Sequence, residues 1–278
     1  MKHTIIALFA IAGATALAAD MDDRTTESRV FPNAHLVILD NVNGSIEVTG
    51  SGGSEVRMEL AKHIRAESQE RLEAARREVK LDVQQSGDTL KLYVDGPFRC
   101  NNCCDHSCNG SRHQGYDVNY DFKLTVPAST RLDLYTVNGG HIDVHGVTGD
   151  FDVRNVNGRI DMTDVGGSGK AHTVNGPVKA TFVRNPAGDT SFETINGSVD
   201  VSFRPGLSAN VRLQTMHGGM FTDYEVSTLP PQQDADSERH GSKLVIRRGG
   251  ATGVKIGNGG PEVRLKTING DLFVRESK

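Results

Sequence analysis

Thr136-Val137-Asn138-Gly139 is a four-residue phrase that decides the fold, because closely related phrases recur along the chain. The repetition is densest between residues 131 and 203, where the third residues of the phrases, at positions 138, 157, 175 and 196, are 19, 18 and 21 residues apart. A period near 20 residues is typical of repeat proteins in which each repeat adds a layer to a stack. Further copies lie outside this block, at residues 41–44, 215–218 and 267–270.

Apolar residues alternate with polar residues on both sides of the phrases. Before the corners, the alternating apolar residues include Val37, Leu39, Leu132, Leu134, Phe151, Val153, Val211, Leu213, Val263 and Leu265. After the corners they include Ile46, Val48, Ile142, Val144, Ile160, Met162, Val178, Ala180, Val199 and Val201. A period of two predicts β-strands with one buried face. Each repeat is therefore predicted to contain a strand, an Asn-Gly corner, a second strand and another corner at a glycine or proline.

Two all-β folds compete for this pattern. An Asn-Gly pair between alternating runs is a strong hairpin signal, which favours an antiparallel meander or sandwich. A meander gives no reason for a similar corner every 18 to 21 residues, whereas parallel layers about 4.8 Å apart would stack identical corners. We therefore predict an all-β, parallel β-solenoid of about 20-residue repeats with one short helix and a Cys-rich loop.

The phrase residues have a structural interpretation in such a stack. Asparagine and glycine accept a positive φ at low cost, so we expect them at the corners. We also expect the asparagine side chains to bond amide to amide along the stack, and the threonine hydroxyls to bond backbone groups of the turns. A carbohydrate-binding role for the asparagine column is the alternative. The predicted structural corners carry Asn43, Asn138, Asn157, Asn175, Asn196 and Asn269.

The N-terminal residues indicate export. Lys2 precedes an apolar run from Ile5 to Leu17, and residues 16–18 read Ala-Leu-Ala, a small-x-small cleavage site. The run is too short to span a bilayer of about 30 Å, so a cleavable signal peptide is favoured over a membrane anchor. We predict a signal peptide at 1–18, a flexible mature N-terminus at 19–28 and a β-strand-repeat domain at 29–278, in a periplasmic or secreted bacterial protein.

Three segments depart from the repeat. Residues 68–79 keep apolar residues at helical spacing and are predicted to form a helix that caps the sheet. Residues 80–84 and 90–94 alternate around a Ser-Gly-Asp turn, which predicts a hairpin. Pro230-Pro231 and the charged residues around them predict a polar insertion loop at 226–242. The 52 residues between the copies at 215 and 267 would accommodate two layers and this loop.

A Cys-rich insertion loop is predicted at 96–115. It contains all four cysteines of the chain, Cys100, Cys103, Cys104 and Cys108. In an exported protein such a cluster favours two disulfides, and four cysteines allow three connectivities. The alternatives are a metal site on Cys100, Cys103 and Cys108 with His106 or His113, because Cys-x-x-Cys is metal-like spacing, and a reactive thiol.

Composition and motifs argue against several function classes. The formal net charge is −4 and no basic run with interleaved aromatic residues occurs, which argues against nucleic-acid binding. Glu47, Asp143, Asp161 and Asp200 share one outward column, which Lys179 interrupts, so a solvated face is favoured over a catalytic or Ca²⁺ site. The chain has no tryptophan to form a sugar platform, and no signature of a cofactor site occurs.

The repeated phrases, the signal peptide, the helix after the first strands and the strand ending in Val126-Pro127 resemble the bacterial putative adhesin family of exported β-strand-repeat domains. The resemblance covers nearly the whole mature chain and implies a β-solenoid-like fold with a role in envelope or surface interaction. We predict an exported non-catalytic envelope or surface protein without a cofactor or membrane span, which binds an envelope protein or a glycan along its repeat face. The alternatives are a carbohydrate-active enzyme on the same scaffold and an envelope metal or redox sensor acting through the Cys-rich loop.

Overall fold

The computed structural model describes residues 21–99, 114–229 and 252–277, together with the backbone of 239–240 and 243–244. The predicted signal peptide at 1–18 and all four cysteines lie outside the described residues. The described part is built mainly of β-strands, which form two large sheets and one small hairpin.

The described residues up to Pro127 form seven strands and a helix. These elements are β1 (Met21–Pro32), β2 (Leu36–Asp40), β3 (Ile46–Ser51), β4 (Glu55–Ala66), α1 (Gln69–Glu78), β5 (Lys80–Ser86), β6 (Thr89–Asp95) and β7 (Tyr116–Pro127). The prediction of a flexible start at 19–28 is wrong from residue 21 onward, because β1 pairs along its whole length with β4. Backbone hydrogen bonds to β4 order this segment, and its polar composition does not reveal them.

Helix α1 and the hairpin that follows it confirm two sequence predictions. The Ser68 side chain caps the helix by accepting a hydrogen bond from the backbone N–H of Arg71 at 3.3 Å. Leu72 and Ala75 are buried against β4 and β7, so the helix covers the first strands rather than the repeats. Strands β5 and β6 form the predicted antiparallel hairpin.

The repeat section alternates between the two sheets. Its strands are β8 (Arg131–Tyr135), β9 (Ile142–His145), β10 (Phe151–Arg154), β11 (Ile160–Val165), β12 (Gly169–His172), β13 (Val178–Phe182), β14 (Thr190–Glu193) and β15 (Val199–Phe203). Even-numbered strands join one sheet and odd-numbered strands the other, so the two strands that flank an Asn-Gly corner never form a hairpin. Each strand instead pairs in parallel with the equivalent strand of the next repeat.

The last part of the chain does not stack in sequence order. Its strands are β16 (Ala209–Gln214), β17 (Met220–Thr222), β18 (Val226–Thr228), β19 (Arg239–His240), β20 (Lys243–Leu244), β21 (Thr252–Ile256), β22 (Glu262–Lys266) and β23 (Leu272–Glu276). Strand β22 lies between β14 and β16, and β23 lies between β15 and β17. The C-terminal copy of the phrase is therefore inserted between the fourth and fifth copies of the series that begins at residue 136.

The pairing corrects the predicted solenoid and the predicted insertion. The strand order is β1-β4-β7-β3-β9-β11-β13-β15-β23-β17 in the first sheet and β18-β21-β16-β22-β14-β12-β10-β8-β2-β6-β5 in the second. The chain is not a parallel solenoid, because both sheets mix parallel and antiparallel pairs. Antiparallel strands form one end of the first sheet and both ends of the second, where the sequence loses its 20-residue period. The predicted loop at 226–242 begins with strand β18 instead, and two further layers between residues 215 and 267 do not form among the described residues.

The core lies between the two sheets and contains the inward residues that the alternation predicted. Phe192 of the second sheet meets Phe182 of the first edge to face, with ring centroids 6.1 Å apart. Phe182 in turn stacks on Phe203 at 5.0 Å. Burial of each such side chain stabilises the fold by roughly 1.5–3 kcal/mol, so the core holds the two faces of the stack at a fixed separation.

Candidate interaction face

A row of asparagine side chains runs along one corner of the stack. The amide of Asn157 donates to Oδ1 of Asn138 at 3.0 Å, and the amides of Asn175 and Asn196 each donate to the preceding asparagine at 2.8 Å. The row begins at Asn43, which accepts from Asn138 at 3.3 Å. It continues to Asn269 at 2.8 Å. Most of these side-chain amides hydrogen-bond to one another, which favours a structural role over ligand binding.

The phrase threonines link consecutive layers from inside the corner. Thr173 Oγ1 donates to the carbonyl oxygen of Gly158 at 2.8 Å, and Thr194 Oγ1 donates to that of Gly176 at 2.8 Å. Asn155, which replaces threonine in its copy, donates instead from its side-chain amide to Gly140 at 3.1 Å. Buried polar groups are thereby satisfied once in each layer.

Two causes explain the phrase glycines: Gly139 has a φ of +68° with open space around it, whereas most of the others pack closely against a neighbouring layer. A Cβ atom on Gly197 would lie 2.2 Å from the carbonyl oxygen of Gly176, and one on Gly270 would lie 2.0 Å from that of Gly197. The expectation that the asparagines adopt positive φ is wrong, since the non-glycine residues with positive φ among those described are Asn33 and Asp164. The asparagine is present for its amide. The glycine is present because a neighbouring layer leaves no room for a side chain, or, at Gly139, because φ is positive.

Outward side chains of the first sheet also align in a row, which we call the outer row. Neighbouring strands pair these residues directly, because the parallel register is kept from layer to layer. In spatial order the outer row is Glu47, Asp143, Asp161, Lys179, Asp200, Phe273 and Phe221. It therefore begins acidic and ends aromatic.

Two carboxylates of the outer row form ion pairs with arginines. Asp143 contacts the Arg159 guanidinium at 2.8 Å, and Nε2 of His141 lies 3.3 Å from the same carboxylate. Asp200 accepts a hydrogen bond from Nε of Arg275 at 2.9 Å. Exposed pairs of this kind contribute about 0–1 kcal/mol and are typical of a solvated face.

The acidic part of the outer row borders a shallow depression of about 340 Å³, open to solvent and lined by Glu47, Thr49, Asp143, His145, Asp161 and Thr163. Asp161 accepts from the hydroxyl of Thr163 at 3.3 Å. Among the residues that the structure describes, no group of three or more His, Cys, Asp or Glu side chains is arranged to hold a metal ion. The depression also lacks an aromatic wall, so it offers neither ligand geometry nor the platform that sugar hydrolysis commonly uses.

The aromatic end of the outer row was missed by the sequence analysis. The rings of Phe221 and Phe273 stack at 5.0 Å, and the Arg275 guanidinium lies 4.6 Å from the centroid of Phe273. Phe221 is 52% exposed and Met216, close by in sequence, is 69% exposed. The signal was present in the sequence, since both phenylalanines follow the third residue of a phrase by four positions, on the outward parity of a strand.

The two tyrosines closest to the phrases are engaged in other contacts. Tyr135, on the outer side of the second sheet, lies 5.7 Å from the Arg154 guanidinium. The Tyr224 hydroxyl donates to the carbonyl oxygen of Phe203 at 3.2 Å, and burial together with Glu276 raises its pKa to about 12. Neither ring contributes to the outer row.

The predicted Cys-rich loop can be followed only to its first residues. Cys100, Cys103, Cys104, Cys108 and His106 lie outside the described residues, so the disulfide and metal hypotheses both stay predictions. Arg99, the last residue before the gap, donates from its guanidinium to Asp40 Oδ1 at 3.0 Å and lies 4.0 Å from the Tyr93 ring centroid. These contacts attach the start of the loop to the second sheet.

No protein-family model matches the chain, and no curated protein matches it significantly. No helix among the described segments is long and apolar enough to cross a membrane.

Three solved structures are similar at low sequence identity. A putative cell adhesion protein from Clostridium sporogenes is 10% identical with a TM-score of 0.38, covering 92% of this chain and 100% of that one. A putative lipid binding protein from Parabacteroides distasonis is 11% identical with a TM-score of 0.33, covering 92% and 97%. A putative adhesin from Bacteroides fragilis is 12% identical with a TM-score of 0.26, again covering 92% and 97%. The structural neighbours are thus bacterial proteins, several of them named as adhesins, at identities that do not establish a family.

Proposed function

We propose that this protein is an exported, non-catalytic protein of the bacterial cell envelope or surface that binds a partner along the outer row. The observation that carries this proposal is the register that aligns Glu47, Asp143, Asp161, Asp200 and the Phe273–Phe221 pair on one face. A row of this kind repeats a contact site at each strand, so an extended partner can engage several layers at once.

The aromatic end of the outer row makes a glycan the favoured partner class. Exposed aromatic faces beside carboxylates and an arginine suit a carbohydrate, whose C–H faces pack on rings and whose hydroxyls bond to charged groups. These groups are supplied by three neighbouring strands of the first sheet: Asp200 by β15, Phe273 and Arg275 by β23, and Phe221 by β17. An envelope protein with an extended polar segment is the other partner class.

Binding to a glycan array and to sedimented bacterial envelopes tests the proposal. Phe221→Ala removes an exposed ring and Phe273→Ala a half-buried, outward one. Both variants should retain the fold and weaken binding about tenfold, as loss of an aromatic anchor at an interface does. Tyr135→Ala is the matched control, because Tyr135 lies on the outer side of the opposite sheet. Equal binding by all three variants would contradict the proposed face.

The non-catalytic part of the proposal has its own test. The purified mature protein should release no product from envelope polysaccharides. The variants Asp143→Asn and Asp161→Asn should likewise release none. Turnover that is present in the wild type and lost in either variant would support the carbohydrate-active enzyme instead.

A further inference from the structure

The inward face of β4 contains a lysine where the alternation calls for an apolar residue. Val56, Met58, Leu60 and Ile64 are buried on this face, and Lys62 lies among them, half-buried. Its Nζ donates to the carbonyl oxygen of Val79 at 3.0 Å. A lysine in a core position loses hydration on its charge, so its presence there requires a compensating group.

The neighbouring edge strand leaves this lysine accessible. Residues of β1 that share the inward face are Asp23, Thr25, Glu27 and Arg29, which pair with Ile64, Lys62, Leu60 and Met58. Three of these four are exposed, so the inner face of the first sheet turns polar at its edge. The second sheet ends at β5, and a gap between the sheets opens there.

A cavity of about 320 Å³, which we call the basal pocket, occupies this gap. Its apolar lining comes from strands of both sheets and from the residue that follows α1. The apolar lining residues are Leu60, Val79, Leu81 and Tyr120, and the polar ones are Thr25, Glu27, Arg29, Lys62, Arg76 and Lys80. The pocket therefore combines an apolar lining with a basic rim, in which four cations outnumber the Glu27 carboxylate.

The cations are only partly neutralised by the protein itself. Arg29 forms an ion pair with Glu27, and Arg76 pairs with Asp23 at 2.8 Å. Four cations thus face two carboxylates, in a chain whose formal net charge is −4. Lys62 Nζ lies 5.2 Å from the Tyr120 ring centroid, and burial lowers the pKa of its ammonium group.

We propose that the basal pocket binds a small amphiphilic anion, with a phosphate or carboxylate head group at Lys62 and the basic rim and a short apolar group on Leu60, Leu81 and Tyr120. The anion supplies acceptors for the ammonium hydrogens of Lys62 that Val79 does not use, and charge-assisted hydrogen bonds are among the strongest available to a protein. The volume lies at the small end of ligand pockets, which limits the apolar group to a short chain or a single ring. This site lies between the sheets, whereas the outer row lies on the outward face of the first sheet, so the proposal does not depend on the proposed function.

Octyl phosphate, held below its micellar concentration, is the probe for titration calorimetry with the mature protein. We expect saturable binding with one site per chain, at least tenfold tighter than binding of octanol or of inorganic phosphate. Octanol lacks the anionic head group, and inorganic phosphate lacks the apolar chain. Vesicles of anionic phosphatidylglycerol and of neutral phosphatidylcholine form a second arm. Binding of octyl phosphate without vesicle binding assigns the pocket to a free amphiphile, whereas preference for the anionic vesicles assigns it to a lipid head group.

Lys62→Met is the decisive variant, because methionine is similar in length and suits an inward position. It should retain or raise the melting temperature while losing about tenfold or more in octyl phosphate affinity, the loss expected for a hydrogen-bonded charge. Lys62→Arg should restore most of the affinity, and Lys170→Met, at an exposed lysine of the repeats, should not alter it. Unchanged affinity in Lys62→Met, or no saturable binding by the wild type, would overturn the proposal.

Discussion

The side-chain amide of Asn269 donates to Oδ1 of Asn196 at 2.8 Å, although the two residues lie 73 positions apart in the sequence. The backbone N–H of Gly197 also donates to the Asn269 carbonyl oxygen, at 2.9 Å. The C-terminal copy of the phrase therefore completes the asparagine row between the copies at 194 and 215. Its insertion brings Phe273 beside Asp200 and extends the outer row to Phe221.

Asn175→Asp should destabilise the protein by about 1–2 kcal/mol. Asn175 donates to Asn157 and accepts from Asn196, each at 2.8 Å, and a carboxylate would lose the donor and set two oxygens against each other. Urea unfolding gives the free energy difference, and Asn258→Asp, in an exposed turn, is the control. If both variants lose the same free energy of unfolding, the hydrogen bonds of the asparagine row do not contribute to stability.

Gly197→Ala should cost about 2 kcal/mol or more, because the added Cβ would lie 2.2 Å from the Gly176 carbonyl oxygen and the layers would have to separate. Gly52→Ala is the matched control, since a Cβ there meets no atom within 4 Å. Thermal unfolding of the two variants makes the comparison. A melting temperature unchanged in Gly197→Ala would show that the layers tolerate a side chain at this corner.

Stability should fall as the pH rises from about 10 towards 12. Burial raises the pKa of Tyr120 and of Tyr224 to about 12, from the ordinary value of 10.0. Within this window the folded state holds phenolic protons that the unfolded state has released, so higher pH favours unfolding. Lys62 acts in the opposite sense below its ordinary pKa of 10.5, because burial lowers its pKa.

Melting temperatures measured across this window should decline less steeply in Tyr120→Phe and Tyr224→Phe than in the wild type. The slopes, rather than the absolute values, are compared, because Tyr120→Phe also removes a 3.3 Å hydrogen bond to the Val79 carbonyl oxygen. Parallel curves for all three proteins would show that the two phenols do not titrate differently on unfolding.

The protein exported to an oxidising compartment should contain no free thiol, since the predicted loop contains an even set of cysteines within nine residues. Intact mass after alkylation, with and without prior reduction, counts the free thiols. Four alkylated cysteines without reductant, together with bound zinc, would support the metal alternative.

Much of the strand pattern followed from local alternation. The inward positions of β8 to β15, α1 with its Ser68 cap and the β5–β6 hairpin could all be predicted, because burial on one face leaves a period in the sequence. The pairing of β1 with β4 could not be predicted, since a charged edge strand has no apolar face to reveal it.

The layer order and the two candidate sites required the structure. Nothing local to residues 262–276 indicates that they pair with β14 and β16 rather than follow β16, because every copy of the phrase offers the same partners to its neighbours. The alternation of β4 places Lys62 on the inward parity, but only the structure shows that a cavity lined by both sheets lies beside it.

Chemical cross-linking of cysteine pairs tests the order of the layers most directly, and with it the continuity of the outer row. In a variant with Cys100, Cys103, Cys104 and Cys108 replaced by serine, Asp200→Cys is combined with Phe273→Cys or with Phe221→Cys. Adjacent strands lie about 4.8 Å apart and next-nearest strands about twice as far. A short bimane reagent that fluoresces on bridging two thiols should therefore link 200 with 273 and not 200 with 221. Bridging of 200 with 221 in preference would contradict the inserted C-terminal copy and the outer row built on it.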